Sequence, residues 1–434
     1  MIVDVEKMSY GPDAIAHLES GKVAFIPFGV PGDRLDIELT EEKPRMARGR
    51  IKEIITPSEM RIPLHAPDLL ESLAPWEAID YSCSLEQKRM IVRDALVRVG
   101  HLDAARIEEV VAPVVACEQP WGYRNKLELA CMQNAKDRLD LGFHGYGSTC
   151  VEPVSTCPLG NDLIKESPKK LTGALRYALG DAASDLFRVG VRGSTITRSL
   201  EVALWTVPGK IERAFVAKAL KDALGASSLV RIIAKKGSER RVKKLEVLSG
   251  SGLWKERIAG CTFKVSAPSF FQVNTAQAER MVELVMEGLG EVDGKLIADL
   301  YCGVGTFSVP LAKRGADLLC IELAGSSTAN LAENLASAGA QADIICDDVE
   351  RVLPELRDLD AIVVDPPRAG LAKPVIERIA ASGAQRLVYV SCDPQTLARD
   401  IAHFESRGAQ LERCTPVDMF PQTYHIECVC ELSF

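Results

Sequence analysis

From about residue 261 onward, short apolar runs alternate with stretches of helical period. The runs at 296–300, 318–323, 343–346, 361–364 and 387–390 are brief, apolar and rich in β-branched residues, so they read as buried strands. Helices fall between most of them. One over 275–289 is announced by the capping pair Asn274 and Gln277. Another, from Thr396 to Ile401, follows the stop at Asp393-Pro394. A last pair of runs, 410–416 and 425–432, reads as a closing hairpin. Alternation of this kind predicts an α/β fold around a doubly wound, mostly parallel sheet.

The earlier part of the chain has a different texture. Residues 1–56 hold short β-type runs at 23–27, 35–39 and 49–55, broken by Pro31-Gly32-Asp33 and by a basic stretch, and this spacing predicts a small β-barrel. Residues 57–80, with Pro57, Pro63, Pro67 and Pro75, read as a connector. The apolar period of Met90, Ile91, Ala95, Leu96 and Val99 predicts a helix over 86–99, and the segment 81–116 is expected to pack on the catalytic domain. Residues 117–260 mix strands (127–132, 195–207, 229–234) with helices near 161–179 and 210–224, and read as a central α+β domain with antiparallel strands. The α/β domain then occupies 261–434.

Composition narrows the class. With 434 residues, 47% hydrophobic and 26% charged, the chain is an ordinary globular protein with room for several domains. It has no apolar run of membrane-spanning length, and its start lacks a signal-peptide profile, so a cytoplasmic protein without membrane contact is expected. The thirteen Cys are scattered without a Cys-x-x-Cys pair and the six His are dispersed, so reduced thiols and no metal site are expected. A net charge of −8 argues against nonspecific coating of nucleic acid. Two local basic stretches stand out: Lys43 to Arg50, and Arg231 to Lys244 with Lys235, Lys236, Arg240, Arg241 and Lys243. A solvated hairpin or loop is the plainer reading of each.

The chemistry gathers at strand ends. Cys392 stands at the carboxyl end of a strand and before a helix, where open α/β sheets place ligands and where a thiol can have a depressed pKa and act as a nucleophile. The plainer alternative is a small buried hydrophobe. The 296–300 strand runs into Tyr301-Cys-Gly303-Val-Gly305-Thr306, a glycine turn that lets backbone approach a ligand. Glu322, nineteen residues beyond Gly303, can bind ribose hydroxyls. Asp347-Asp348 and Asp365-Pro-Pro-Arg-Ala-Gly370 end the next two strands. Position 308 is Ser, so the third Gly of a dinucleotide fingerprint is missing. The set looks instead like a class I S-adenosylmethionine-dependent methyltransferase.

A more specific resemblance follows from the order of motifs. Phe270-Phe-Gln-Val-Asn-Thr275, Asp299-Leu-Tyr-Cys-Gly-Val-Gly305, Asp365-Pro-Pro-Arg-Ala-Gly370, Val390-Ser-Cys-Asp-Pro394 and His425-Ile-Glu427 resemble the RNA uracil-5 methyltransferase family. The start (Gly21-Lys-Val-Ala-Phe-Ile-Pro27 and Pro31-Gly-Asp33) is similar to that family's TRAM barrel, and the middle carries Tyr123-Arg-Asn-Lys126 and Leu141-Gly-Phe-His144. The resemblance implies S-adenosyl-L-methionine as cofactor and RNA as partner, ribosomal RNA favoured over transfer RNA, for a monomeric enzyme. It implies Cys392 as nucleophile at carbon 6 of uracil and Glu427 as the base that removes the carbon 5 proton. Gln272, Tyr301, Gly303, Gly305, Thr306, Glu322, Asp347 and Asp365 match cofactor positions; Gln272 and Asp365 also reach the uracil end. RNA contacts are expected from Arg124, Lys126, Lys235, Lys236, Arg240 and Arg241.

The chain departs from the family pattern in two places. Many relatives carry a four-Cys iron–sulfur site; here Cys157-Pro158 matches the fourth Cys, while His65, Glu71 and Ala74 replace the others, so no cluster is expected. A mixed set of His65, Cys83, Cys150 and Cys157 is the remaining, disfavoured way to hold one. Thr306 stands where Asn is common. Two other readings stay open. One is methylation of another base, although cytosine-5 enzymes typically add a Cys where Val364 stands; the other is a noncatalytic RNA-binding factor on the same fold.

Overall fold

Five strands at the start of the chain close on themselves. β1 (Ile2–Met8), β2 (Asp13–His17), β3 (Val23–Pro27), β4 (Arg34–Glu42) and β5 (Met46–Thr56) form a barrel in the order β1-β2-β3-β5-β4, with β4 pairing back onto β1. Alternate side chains point inward, so Val3, Val5, Ala14, Ala16, Ala24, Ile26, Leu35 and Ile37 are buried. At Gly49 a Cβ would lie 2.8 Å from Ile37 Cδ1, which leaves no room for a larger residue on β5. The computed structural model describes residues 1–237, 242–353 and 358–434. They divide into two units: Met1–Pro120, Pro366–Ile376 and Tyr389–Phe434 make the first, Trp121–Asp365 and Glu377–Val388 the second.

In the barrel the first basic stretch forms the hairpin between β4 and β5, with its cationic side chains exposed. Lys43 pairs with Glu41 at 2.7 Å, Arg48 with Asp13 of β2 at 3.0 Å and Arg50 with Glu38 at 2.7 Å, so acids of β4 and β2 partner these cations. In the connector, Pro67–Leu69 forms one 3-10 turn. α1 (Tyr81–Arg98) then starts earlier than its apolar pattern indicates, because the Asp80 carboxylate accepts from the Ser82 and Cys83 amides. α2 (Ala104–Val110) follows, capped by Asp103.

The second unit opens with β6 (Lys126–Gln133), β7 (Leu139–His144), β8 (Val151–Pro153), α3 (Ser167–Leu179), β9 (Leu186–Gly193), β10 (Leu200–Thr206), α4 (Arg213–Leu224), β11 (Ser228–Ile233) and β12 (Lys244–Gly250). Its sheet has the order β12-β11-β10-β9-β6-β7-β8. Three expectations change here. The run 195–207 is a turn followed by β10, because the Ser194 hydroxyl accepts from the Thr197 amide and folds the chain back. β10 and β11 are parallel, with α4 as the crossover, so the sheet is mixed rather than antiparallel. The helix near 161–179 begins only at Ser167, since Asn161 makes a turn, accepting from the Leu163 amide and donating to the Gly193 carbonyl.

The rest of that unit contains β13 (Leu253–Ile258), β14 (Cys261–Ser266), α5 (Thr275–Leu289), β15 (Leu296–Leu300), α6 (Ser308–Lys313), β16 (Asp317–Ile321), α7 (Gly325–Ala338), β17 (Asp343–Ile345), α8 (Val349–Val352) and β18 (Ala361–Val364). α9 (Lys373–Ala380) and β19 (Arg386–Ser391) come next. The strands lie in the order β17-β16-β15-β18-β19, and β15 is parallel to both β16 and β18, the doubly wound α/β arrangement. In the first unit the end of β19 neighbours β21 (Glu427–Ser433), and β20 (Gln410–Val417) pairs antiparallel with β21. α10 (Pro394–Glu405) packs on α1. Residues 111–115 lie along β20, where the Ala112 and Val115 amides donate to the Cys414 and Pro416 carbonyls. No described helix is long and apolar enough to cross a membrane.

Candidate active site

In the second unit, the turn after β15 is shaped by three residues in left-handed backbone, Tyr301, Gly303 and Gly305. The two glycines serve different purposes. A Cβ on Gly305 would come within 2.4 Å of Leu331 Cδ1, so this glycine lets α7 pack against the turn. A Cβ on Gly303 would meet nothing within 4 Å, so its face is open to a ligand. Glu322, directly after β16, accepts from the Gly303 amide at 3.1 Å and from the Ala324 amide at 2.7 Å. Leu323 beside it is 67% exposed, an apolar side chain next to a carboxylate.

Two acidic groups at the ends of β15 and β18 are held near neutrality. Asp299 is fully buried; its Oδ2 accepts from the Ser308 hydroxyl, and its Oδ1 has no partner among the described residues. Loss of solvent pushes its carboxyl up to about 7, against the Ser308 hydrogen bonds. Half-buried Asp365 is also pushed up to about 7, first by loss of solvent and then by the charge of Asp299. Asp347 is tied to its own surroundings, accepting from the Asp348 amide and pairing with Arg351 at 3.3 Å. Thr306 is half-buried at the end of the turn.

The segment before α5 is clamped from two directions. Asn125 Nδ2 donates to the Gln272 carbonyl at 2.9 Å and to Thr275 Oγ1 at 3.0 Å, and the Asn125 amide donates to the Val273 carbonyl. Arg192 donates to the Ser266 and Ser269 carbonyls. Between these holds Phe270 is 65% exposed while Gln272 is buried. On α7, Asn330 accepts from Ser266 and Ser269, and Asn334 accepts from the Lys264 amide and donates to the Val304 carbonyl. One helix thus fixes both the glycine turn and the Gln272 segment. Asn125 falls in the Tyr123-Arg-Asn-Lys126 motif without an expected role; sequence reasoning missed Asn330 and Asn334, for which the signal available was a pair of Asn one helical turn apart among Ala and Leu.

In the first unit, Cys392 follows β19 and is half-buried. The Asp393 carboxylate caps α10, accepting from the Gln395 and Thr396 amides at 2.9 Å. Thr396 and Arg399 donate to the Arg368, Ala369 and Leu371 carbonyls, so α10 also fixes the turn that follows Asp365. Gly370 is required there, since a Cβ would fall 2.5 Å from Asp400 Oδ2 and the backbone is left-handed. β21, the neighbour of β19, begins with buried Glu427. Just before it, His425 Nδ1 lies 3.3 Å from Arg368 and its ring 4.3 Å from that of Tyr424.

The chain matches the family model described as tRNA (uracil-5-)-methyltransferase over residues 123–346 and 351–433, and the TRAM domain model over residues 1–52. The chain belongs to the tRNA (uracil-5-)-methyltransferase family. Among members of known sequence, it is 31% identical to an uncharacterized RNA methyltransferase of Thermosynechococcus vestitus, covering 97% of this chain and 96% of that one. An uncharacterized RNA methyltransferase of Gloeobacter violaceus is 33% identical, with 99% and 96% covered. The fold is shared with the Pyrococcus abyssi tRNA (uracil-54, C5)-methyltransferase, solved in complex with S-adenosyl-L-homocysteine, at a TM-score of 0.76 and 23% identity over the whole of both chains.

As a member of this S-adenosylmethionine-dependent family, the chain offers a donor set that suits the cofactor. Glu322 can take ribose hydroxyls, Leu323 can cover a flat ring, the open face of Gly303 admits close approach, and the acids at 299 and 365 can face a cation. An iron–sulfur cluster does not fit. Cys157 is fully buried, Ala74 offers no donor atom and His65 and Glu71 are exposed, whereas four thiolates are needed. Among the described residues no group of three or more His, Cys, Asp or Glu could hold a metal ion. Of the expected RNA contacts, Lys126 pairs with Glu128 at 2.8 Å and Arg124 donates to the Tyr123 hydroxyl, so both are engaged locally. Lys235 and Lys236 are exposed, and Arg240 and Arg241 lie outside the described residues. Arg231 at the head of that stretch is a structural residue, buried and donating to Thr206 and the Gly209 carbonyl.

Proposed function

We propose that the protein methylates carbon 5 of a uridine in structured RNA, with Cys392 as nucleophile and Glu427 as base. The observation that carries this reading is that β19 runs into Cys392 while its neighbour β21 starts at Glu427, within one unit of the fold. Carbon 5 of uracil is a poor nucleophile on its own. Addition of the Cys392 thiolate to carbon 6 breaks the 5,6 double bond and moves its electrons toward the carbon 4 carbonyl, leaving an enolate with a nucleophilic carbon 5. S-adenosylmethionine, when bound, would supply an electrophilic methyl group to carbon 5 and leave as S-adenosylhomocysteine. Glu427 then takes the proton from carbon 5, the double bond reforms and the Cys392 thiolate leaves.

Other side chains orient the ring. Asp365, held near neutrality, can donate to a carbonyl oxygen or accept from the ring N–H, and Gln272 can read the same edge. Tyr301, Gly303, Thr306, Glu322 and Asp347 serve the cofactor, and Gly305 shapes the turn by packing against Leu331. Arg124, Lys126, Lys235 and Lys236, with Arg240 and Arg241, would hold the RNA, whose target base must leave its stack to be reached. Ribosomal RNA is the favoured class, since a dedicated barrel suits a large folded target; transfer RNA, named in the family description, is the second.

Ribosomal and transfer RNA fractions from cells lacking the protein, incubated with labelled S-adenosylmethionine, test the reading. The wild type should form 5-methyluridine, Cys392→Ala should form none, and Glu427→Gln should accumulate a methylated protein–RNA adduct visible by intact mass. Transfer by Cys392→Ala would overturn the scheme. A Glu427→Gln protein that turns over freely would remove Glu427 from it.

A further inference from the structure

We infer that Tyr10, in the turn between β1 and β2 of the barrel, is a positioning residue of the methyl-transfer centre: its phenol holds the backbone that carries Cys392. The Tyr10 hydroxyl donates to the Cys392 carbonyl at 3.2 Å, and its ring meets the Tyr424 ring edge-on, with centroids 6.0 Å apart at 87°. This inference rests on the reading of Cys392 as nucleophile.

The turn is built to hold that phenol still. On one side the Met8 amide donates to Gln87 Oε1 at 2.9 Å, a buried contact from α1. On the other, Trp76 Nε1 donates to the Gly11 carbonyl at 3.0 Å, and the Trp76 side chain is fully buried. Ser9 closes the turn on itself by donating to the Asp13 carbonyl at 2.7 Å. The anchors come from outside the barrel, from α1 and the connector. The barrel is therefore fastened at a turn that reaches the backbone of Cys392. The Trp76 amide also donates to the Gln422 carbonyl, in the loop that leads to Glu427.

The neighbours of the phenol define its role. Burial first, and the charge of Asp393 next, push its pKa far above the ordinary tyrosine value; Arg368 opposes this, while Cys392 and Cys428 add to it. Those residues belong to the nucleophile loop, the turn after Asp365 and the start of β21, the three segments the proposed chemistry needs. A phenol that never ionises in the working range is a permanent donor, so it acts by orientation and not by proton transfer. With Tyr10 fixing the Cys392 carbonyl and Asp393 fixing the following amides, the peptide after the thiol is held from both sides. Displacements of about 1 Å at a reacting atom cost up to 100-fold in rate.

Full-length Tyr10→Phe, which keeps the ring and removes the donor, is compared with wild type and Cys392→Ala on total RNA from cells lacking the protein. For Tyr10→Phe we expect kcat to fall about 5- to 10-fold, the worth of one hydrogen bond. KM for RNA, the affinity for S-adenosylmethionine and the melting temperature should stay near wild type. A purely structural residue would lower the melting temperature, and an RNA-stacking residue would raise KM. Either pattern with unchanged kcat overturns the inference while Cys392→Ala remains inactive. Should Cys392→Ala retain transfer, the underlying reading falls and the inference with it.

Discussion

Lys88 Nζ lies 2.5 Å from Asp418 Oδ1, and both side chains are sealed from water. The same ammonium donates to the Phe420 carbonyl at 3.2 Å and to the His425 carbonyl at 2.9 Å, and it stands 5.9 Å from the Trp76 ring. Asp418 accepts in addition from the Tyr81 hydroxyl at 2.7 Å. One buried cation from α1 therefore gathers both ends of the loop that presents His425 and Glu427. Burial pulls its pKa down and Asp418 opposes that, so the buried ammonium depends on its carboxylate partner. Lys88→Met should cost about 3–5 kcal/mol in urea denaturation, because the buried Asp418 loses its counter-charge. Lys88→Met with Asp418→Leu should cost less than the sum of the two single changes. Additive losses would mean that the pair does not act as a unit.

The two glycines of the turn after β15 should separate stability from cofactor binding. Gly305→Ala forces a Cβ into Leu331 and strains a left-handed backbone, so a loss of about 2–4 kcal/mol in thermal or urea unfolding is expected. Gly303→Ala meets no neighbour and should cost only the backbone term, about 1–2 kcal/mol. Its methyl group instead occupies the open face assigned to the cofactor in the proposed site. Calorimetric titration with S-adenosylmethionine should therefore show a loss of at least 10-fold for Gly303→Ala. Equal affinity in wild type and Gly303→Ala would remove that face from the cofactor site.

What could be read in the sequence followed the strength of its local signals. β15, β18 and α5 lie where the apolar runs and the Asn274 cap put them, because buried parallel strands and a capped amphipathic helix leave unambiguous patterns. β1 and β2 left no such pattern: Asp4, Glu6 and Lys7 on the outer face of β1 hide an alternation that only the closed barrel makes meaningful. Buried polar groups were the other blind spot. Arg231, Asn334 and Lys88 look like surface residues in sequence, and only tertiary contacts explain their burial. Lys88 did carry a clue, since it lies on the stripe of Ser84, Ile91, Val92 and Ala95 that α1 buries.

Stability should fall as pH rises through the range where Asp299 titrates. Its carboxyl goes from an ordinary value of 3.8 to about 7 on folding, so the folded protein binds the extra proton. The stability that this proton supplies is fully present below about pH 4, is lost between there and about pH 7, and changes little above. Asp299→Asn carries no titrating group and should lack this contribution, whatever constant offset the amide introduces. Melting temperatures from pH 4 to 8, without cofactor, give the comparison: the wild type should decline relative to Asp299→Asn as pH increases. Parallel curves would show that Asp299 titrates as an ordinary carboxyl.

RNA affinity should depend on exposed cations that make no ion pair among the described residues. On the barrel, Arg50 already faces Glu38 and Arg48 faces Asp13, so these charges release few counterions on meeting a phosphate. Lys235 and Lys236 are exposed and make no ion pair among the described residues, which makes them the stronger candidates. Each phosphate neutralised on single-stranded RNA contributes about 0.7 to the slope of log affinity against log salt. Lys235→Ala with Lys236→Ala should therefore lower that slope by about 1.4 in filter-binding or anisotropy titrations with total RNA, without altering affinity for S-adenosylmethionine. Arg50→Ala should change the slope by much less. A larger effect from Arg50 than from the lysine pair would move the RNA path from the β11–β12 connection to the barrel.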